Sequence, residues 1–475
     1  MDLPIVAKRT TIMKERKSVY GLPVDDTTLE WYSKAVTEMK TRPTDDPTSW
    51  AYQGAIHGLS RNPDTNQYWR QYRPFPTSGV TPFWKQCQHQ TWYFIPWHRM
   101  YLAYFEQIVA QTIVDLGGPA GWSLPFWNYS DTANPDALNI PPAFTSPANA
   151  TNPLWMPNRR DSVQRSTVSL IALEIPIFTT TGTTNGYGGR VTRFNHGGGQ
   201  SGGLENLPHN HIHMDIGGAM GDPNTAALDP IFWLHHSNID RLWQVWLNQG
   251  RRTNPTSPNW LNLDFNFHDK DKNPVTMNSS QVLDTRTVLS GYTYEGVPSE
   301  VPARSSEEIM ENADLATMPL EVVGATDSGH KLDGKNSKVS LQLASSGSSR
   351  KNLTRKVVSE GLTQSTKKML HFENIKGKGV APIHSIYINT PDGNGQVQSH
   401  LAGTIAFFGL EGASVADEHH SGSGLTEIVE VTKLIEELQS QPNWDESKLD
   451  VEIRPDREMD EGVEVSVGKI SLYSE

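Results

Sequence analysis

One cysteine, Cys87, stands in 475 residues, so no disulfide can form within the chain. The redox compartment stays open on that ground, and the cytoplasm is the expected location. No run of apolar residues reaches the ~20 that a bilayer-spanning helix requires. Positive charge is also short: 41 Lys and Arg against 53 Asp and Glu give a formal net charge of -12. A nucleic-acid partner would call for a basic field, so none is expected. The chain opens Met1-Asp2-Leu3-Pro4, with an early acid and a proline where a secretory leader would carry its apolar core. No internal repeat is visible. What remains is a folded protein, 36% hydrophobic and 20% charged, long enough for two or three domains.

Histidine and tryptophan are abundant. Nine of the sixteen histidines lie between His57 and His236, and Trp84, Trp92, Trp97, Trp127, Trp233, Trp243 and Trp246 flank the same segments. Imidazoles set in aromatic walls point to metal ligands in a dry cavity.

Residues 1–298 read as a mainly α domain. Leu29, Tyr32, Val36 and Met39 recur at helical spacing over Thr28–Lys40. Asp46-Pro47 predicts the start of a second helix ending near His57-Gly58, since proline suits a first helical position. Pro96 opens a third that closes at Gly117-Gly118, with His98, Leu102, Phe105 and Val109 on one face. Asp229-Pro230 opens a fourth ending near Gly250, whose inward stripe is His236, Ile239, Trp243 and Trp246. The expectation is a four-helix bundle carrying its site inside. Residues 299–370 read as linker and irregular chain, with Pro298–Ser306 as the connection and Ser345–Ser349 as a polar loop. From residue 371 to 475 the alternation turns strand-like, at Ser385–Asn389, Gly403–Phe408, Thr426–Val431, Leu449–Ile453 and Val463–Leu472. That predicts a β-rich second domain of antiparallel strands.

The strongest local signal is Pro208-His209-Asn210-His211-Ile212-His213. With Pro208 at the first helical position, His209 and His213 fall one turn apart on one face, a spacing that lets two imidazoles grip one ion; His211 points elsewhere. In Asp229-Pro-Ile-Phe-Trp-Leu-His-His236 the two adjacent histidines lie about 100° apart around a helix. One is therefore a ligand, His236 on the inward stripe, and His235 a packed support. Cys87-Gln88-His89 precedes His98, which heads an apolar-faced helix, and His57 closes the second helix. Three histidines in each half, without a carboxylate or a zinc-type cysteine set, favour copper.

These segments, from His57-Gly58 through Cys87-x-His89, Pro96-Trp97-His98-Arg99, Pro208-His209-Asn210-x-x-His213 and Asp229-Pro-Ile-Phe-Trp-Leu-His-His236, closely resemble the tyrosinase, catechol oxidase and mollusc-type hemocyanin superfamily over roughly residues 1–300. The resemblance implies two copper ions, one held by His57, His89 and His98 and the other by His209, His213 and His236, with dioxygen bound between them. It implies a thioether between Cys87 and His89, and a water held by Glu205 and Asn210 that takes the proton of a phenol whose pKa is near 10. Glu205 could alternatively cap the helix that starts near Pro208. Phe232, one turn before His236, is expected to pack on a ligand ring. Asp240 could orient an imidazole or pair with an arginine, and Tyr292-Thr-Tyr294 resembles the motif that ends the catalytic domain. The second domain is similar, more weakly, to C-terminal domains that plug the copper cavity, with Phe408 and Leu410 as candidate plug residues. The implied activity is o-hydroxylation of small monophenols and oxidation of o-diphenols to o-quinones. An enzyme limited to diphenols and a dioxygen carrier stay open as alternatives, and oligomeric state is not legible.

Overall fold

The computed structural model describes residues 13–75, 82–180, 186–193, 200–300, 321–344, 367–392, 394–416 and 422–474. Most of the expected linker and the Ser345–Ser349 loop lie outside the described residues.

Helix α1 (Thr28–Thr41) buries Tyr32, Val36 and Met39 against α3. Helix α2 (Trp50–His57) begins one turn later than Asp46-Pro47 suggests. The reason is local. The Asp46 carboxylate accepts the Thr48 N–H in a turn, and Ser49 caps the helix by accepting the Tyr52 N–H at 3.0 Å. Helix α3 (Phe94–Asp115) is buried on nearly all sides and starts two residues before Pro96. A helix buried on nearly all sides sits at the centre of its domain, and its buried Arg99 and Glu106 are paired there with Asp240 and Arg16. Helix α5 (Ile231–Asn248) packs on α3, and Asp229 accepts the Ile231 N–H at its start. Between them, a π-turn (Glu205–Asn210) runs into α4 (His211–Ile216), with a backbone break at Leu207. The regular helix that carries His209 and His213 thus starts at Pro208.

Strand β1 (Lys14–Arg16) pairs in parallel with β2 (Tyr292–Tyr294), closing the start of the helical domain on its end. This pairing drives Arg16 into the core, where it meets Glu106 and Asp240. Asp240 also pairs with Arg99 and accepts the Tyr292 and Tyr294 hydroxyls at 2.6 Å each. Of the two roles open to Asp240, arginine pairing is the one adopted.

Among the described residues, the second domain forms a ten-stranded sheet. It starts earlier than the alternation suggests: β3 (Glu321–Ala325), β4 (His330–Leu332) and β5 (Ser337–Leu343) all belong to it. The boundary expected at residue 371 is therefore corrected to the N-terminal side of Glu321. These strands are short, of five, three and seven residues, and β5 alternates with only Val339 and Leu341 buried. The remaining strands are β6 (Lys368–Lys378), β7 (His384–Pro391), β8 (Val397–Ile405), β9 (Leu425–Glu430), β10 (Lys448–Pro455), β11 (Glu464–Val467) and β12 (Lys469–Ser474). Strand β6 pairs antiparallel with β9, β11 and β12. It can do so because its register shifts around Asn374, at φ +55, and bends it.

Beyond β8 the chain reaches the helical domain. Side chains there alternate between two cores, as extended backbone requires. Ile405 and Phe407 pack into the sheet's own core, while Ala406 and Phe408 pack into that of the helices. Gly409, at φ +81, then turns the chain away, and Leu410 returns to the sheet's core.

Candidate metal centre

Every histidine of the six lies on or beside one of four helices. His57 is the last residue of α2, His98 sits in the first turns of α3, His209 and His213 share one face at α4, and His236 lies on α5. His89 comes from the segment before α3. Two groups of ligand-type atoms result, each with all its atoms within 4.8 Å of one another: His57, Cys87, His89 and His98, and His209, His213, His235 and His236. The groups lie side by side, with the His98 and His236 rings stacked at 4.3 Å and the His89 and His209 rings 5.9 Å apart.

Backbone carbonyls set the tautomers. His57 Nδ1 donates to Pro223 O at 2.8 Å, His98 Nδ1 to Phe94 O at 2.7 Å, and His213 Nδ1 to Met220 O at 2.8 Å. A ring that donates through Nδ1 presents a bare Nε2 lone pair, the form a metal needs. His57 Nε2 and His209 Nε2 are buried without a hydrogen-bond partner, which only a cation or a lone donor would satisfy. Burial also lowers the pKa of these imidazoles, to about 4 for His57 and about 3 for His209. They are neutral at pH 7, as metal ligands must be. The Cys87 thiol is pushed up by burial and then by Glu205, so it stays protonated. The donor set therefore fits two ions that accept three imidazoles each, which suits copper.

The surrounding residues take definite places. Phe232 lies 4.1 Å from His236 and edge-on to His57 at 4.9 Å. Cys87 Sγ stands 3.5 Å from His89 Nδ1 and 3.4 Å from its Nε2. The Glu205 carboxylate accepts the Gln90 N–H at 2.7 and 2.9 Å and a backbone hydrogen bond from Gly202. Neither of these N–H groups belongs to the helix at Pro208. Burial raises its pKa to about 8, against the lowering effect of those two N–H groups. Asn210 contacts the His209 ring, Oδ1 to Nδ1 at 2.9 Å, and donates to Ser201.

Phe408 covers the centre. Its ring stacks on His213 at 4.2 Å and 17°, and stands edge-on to His89 at 5.4 Å and His209 at 5.6 Å. Leu410 is not part of this cover; it is buried in the sheet's core, because the turn at Gly409 reverses its direction. Two residues had a weak signal in the sequence. His211, expected to be a bystander, contacts Asn206 O and the Thr404 hydroxyl of β8, and so ties α4 to the second domain. His235, expected to be a support, lies inside the second ligand group.

Known proteins place this arrangement. The profile of the common central domain of tyrosinase matches residues 47–183 and 158–249, and that of the polyphenol oxidase middle domain matches residues 254–305. Residues 319–475 match a domain of unknown function. Tyrosinase HcTyr1 of Hahella is 42% identical over 98% of this chain and 100% of its own length. This chain belongs to the tyrosinase and polyphenol oxidase family. It is accordingly a type 3 copper oxidoreductase that binds two copper ions and oxidises phenols with dioxygen. The Vicia faba polyphenol oxidase A1 is 32% identical over 58% of the chain, and the chain spans about half the length of such plant relatives, 46% in this case. Among solved structures, latent apple tyrosinase aligns over 100% of this chain and 99% of its own, with TM-score 0.58 at 22% identity. That likeness extends the shared fold of this tyrosinase-family chain to both domains. No helix among the described residues is long and apolar enough to cross a membrane.

Proposed function

We propose that this tyrosinase-family enzyme hydroxylates small monophenols at the ortho position and oxidises o-diphenols to o-quinones, in a form kept latent by its second domain. His57, His89 and His98 hold one copper ion; His209, His213 and His236 hold the other. The bound pair supplies and takes back the two electrons that dioxygen and phenol exchange. One monophenol and one dioxygen then give one o-quinone and one water; two diphenols and one dioxygen give two o-quinones and two waters.

The observation that carries the monophenol reading is Glu205. It is a buried carboxyl one turn before His209, held by two backbone N–H groups. A phenol cannot approach as phenolate at neutral pH unless a neighbouring group accepts its proton. Glu205 is placed to do so through its ionised fraction, which at a pKa of about 8 is the minor form at pH 7 but a stronger base than an ordinary carboxylate. Asn210 contacts the His209 ring beside it. Phe232 packs beneath both ligand groups and keeps their rings from turning. Cys87 Sγ lies within 3.5 Å of both His89 nitrogens, close enough to the ring to support a thioether between the two residues.

Glu205→Gln removes the proton acceptor and keeps the shape. Monophenol turnover should fall about 100-fold or more, with diphenol turnover within about threefold of the original. An equal loss on both substrates, measured as oxygen uptake, would refute the role.

A further inference from the structure

Four imidazoles, not three, crowd the second copper site. Adjacent residues on a helix point about 100° apart, and α5 uses that divergence. His236 turns toward the first group, 4.3 Å from the His98 ring and 4.1 Å from Phe232. His235 turns the other way. It stacks on His209 at 5.4 Å and 22° and meets His213 edge-on at 4.9 Å. Tyr129 closes its outer side at 5.7 Å.

His235 is fully buried, and neither of its ring nitrogens has a hydrogen-bond partner. A buried imidazole with both nitrogens unmatched is costly, and native structures rarely retain one without a use. Packing alone would be served by phenylalanine. One of its nitrogens lies within 4.8 Å of the ligand-type atoms of His209, His213 and His236. The first site has a parallel feature, three imidazoles with the Cys87 sulfur as the fourth atom of its group.

We propose that His235 is an auxiliary nitrogen donor of the second site, which keeps copper from leaving when one of the three principal ligands lets go. The proposal rests on the six-imidazole assignment above. It gives α5 two grips on one ion, in addition to His209 just before α4 and His213 on it, so that loss of any one bond leaves the ion held from both segments.

The test compares copper-loaded full-length protein with His235→Phe, His235→Gln and His235→Cys. Phenylalanine preserves the ring stack on His209 and removes the nitrogens; cysteine restores a donor that suits copper. Copper content and the rate of release to a copper(I) chelator are measured, together with the melting temperature of each metal-free protein. The expected result is two equivalents in the unaltered protein. One of the two ions should leave about 10- to 100-fold faster from the Phe and Gln variants, with slow release recovered in the Cys variant. Unchanged release from Phe and Gln overturns the proposal while leaving the six-ligand reading intact. Fast release that cysteine does not recover, with a lowered metal-free melting temperature, assigns His235 to packing and also overturns it. Should the Phe variant fail to fold, the Gln and Cys pair decides. Far fewer than two equivalents in the unaltered protein overturns both readings.

Discussion

Truncating Phe408 to alanine should unmask the enzyme. The ring is buried between the domains and touches three imidazoles, stacked on His213 and edge-on to His89 and His209. A phenol that is to reach the copper pair must take that place. Removing a buried phenylalanine from water contributes about 1.5–3 kcal/mol, and a well-oriented aromatic contact adds about 0.5–1.5 kcal/mol. A substrate that displaces the ring works against about 2–4.5 kcal/mol in total. At about 1.4 kcal/mol per tenfold, that is a factor of about 30 to 1,600. Oxygen uptake on a small catechol should show the apparent KM of Phe408→Ala falling within that range, in full-length protein with its copper content checked. Leu410→Ala is the contrast. Leu410 packs only in the sheet's core, so its loss destabilises the second domain by about 2–5 kcal/mol without unmasking activity while that domain stays folded. A Phe408→Ala protein that folds, holds its copper and keeps the original apparent KM would refute the plug.

Two further predictions concern stability. Burial lowers the pKa of His371 and His384, both in the second domain, to about 4. Each contributes stability that is fully present above pH 6.5 and is lost as pH falls toward 4, by at most about 3 kcal/mol apiece; a urea midpoint for that domain unchanged between pH 7 and 4.5 would contradict this. Asp240→Asn leaves the Arg99 and Arg16 guanidinium groups buried with their shared carboxylate gone. It should cost about 3–5 kcal/mol, read as a fall in melting temperature, and an unchanged melting temperature would show that Glu106 and the tyrosines suffice.

Much of the first domain was legible because its signals are local. Helical periodicity located α1, α3 and α5, and the spacing of His209 and His213 needed only the pitch of a helix. The ligand residues could be named because imidazole pairs, their aromatic flanks and the Asp-Pro helix start lie within a few residues of one another. The early strands β3 to β5 went unread because they are short and their pairing is decided by distant partners; β5 does alternate, with Val339 and Leu341 inward.

From sequence alone come the residue types at the metal centre, the helices that carry them and the presence of a β-rich second half, all of which follow from periods of 3.6 and 2.0 and from side-chain chemistry. Only the tertiary structure decided which of Phe408 and Leu410 reaches the copper site, that Asp240 serves arginines and not an imidazole, and that His235 joins the second ligand group. The reason is the same in each case. Such choices depend on which way a side chain turns relative to elements far away in the chain, and a turn at one glycine or a rotation of 100° along one helix reverses the outcome.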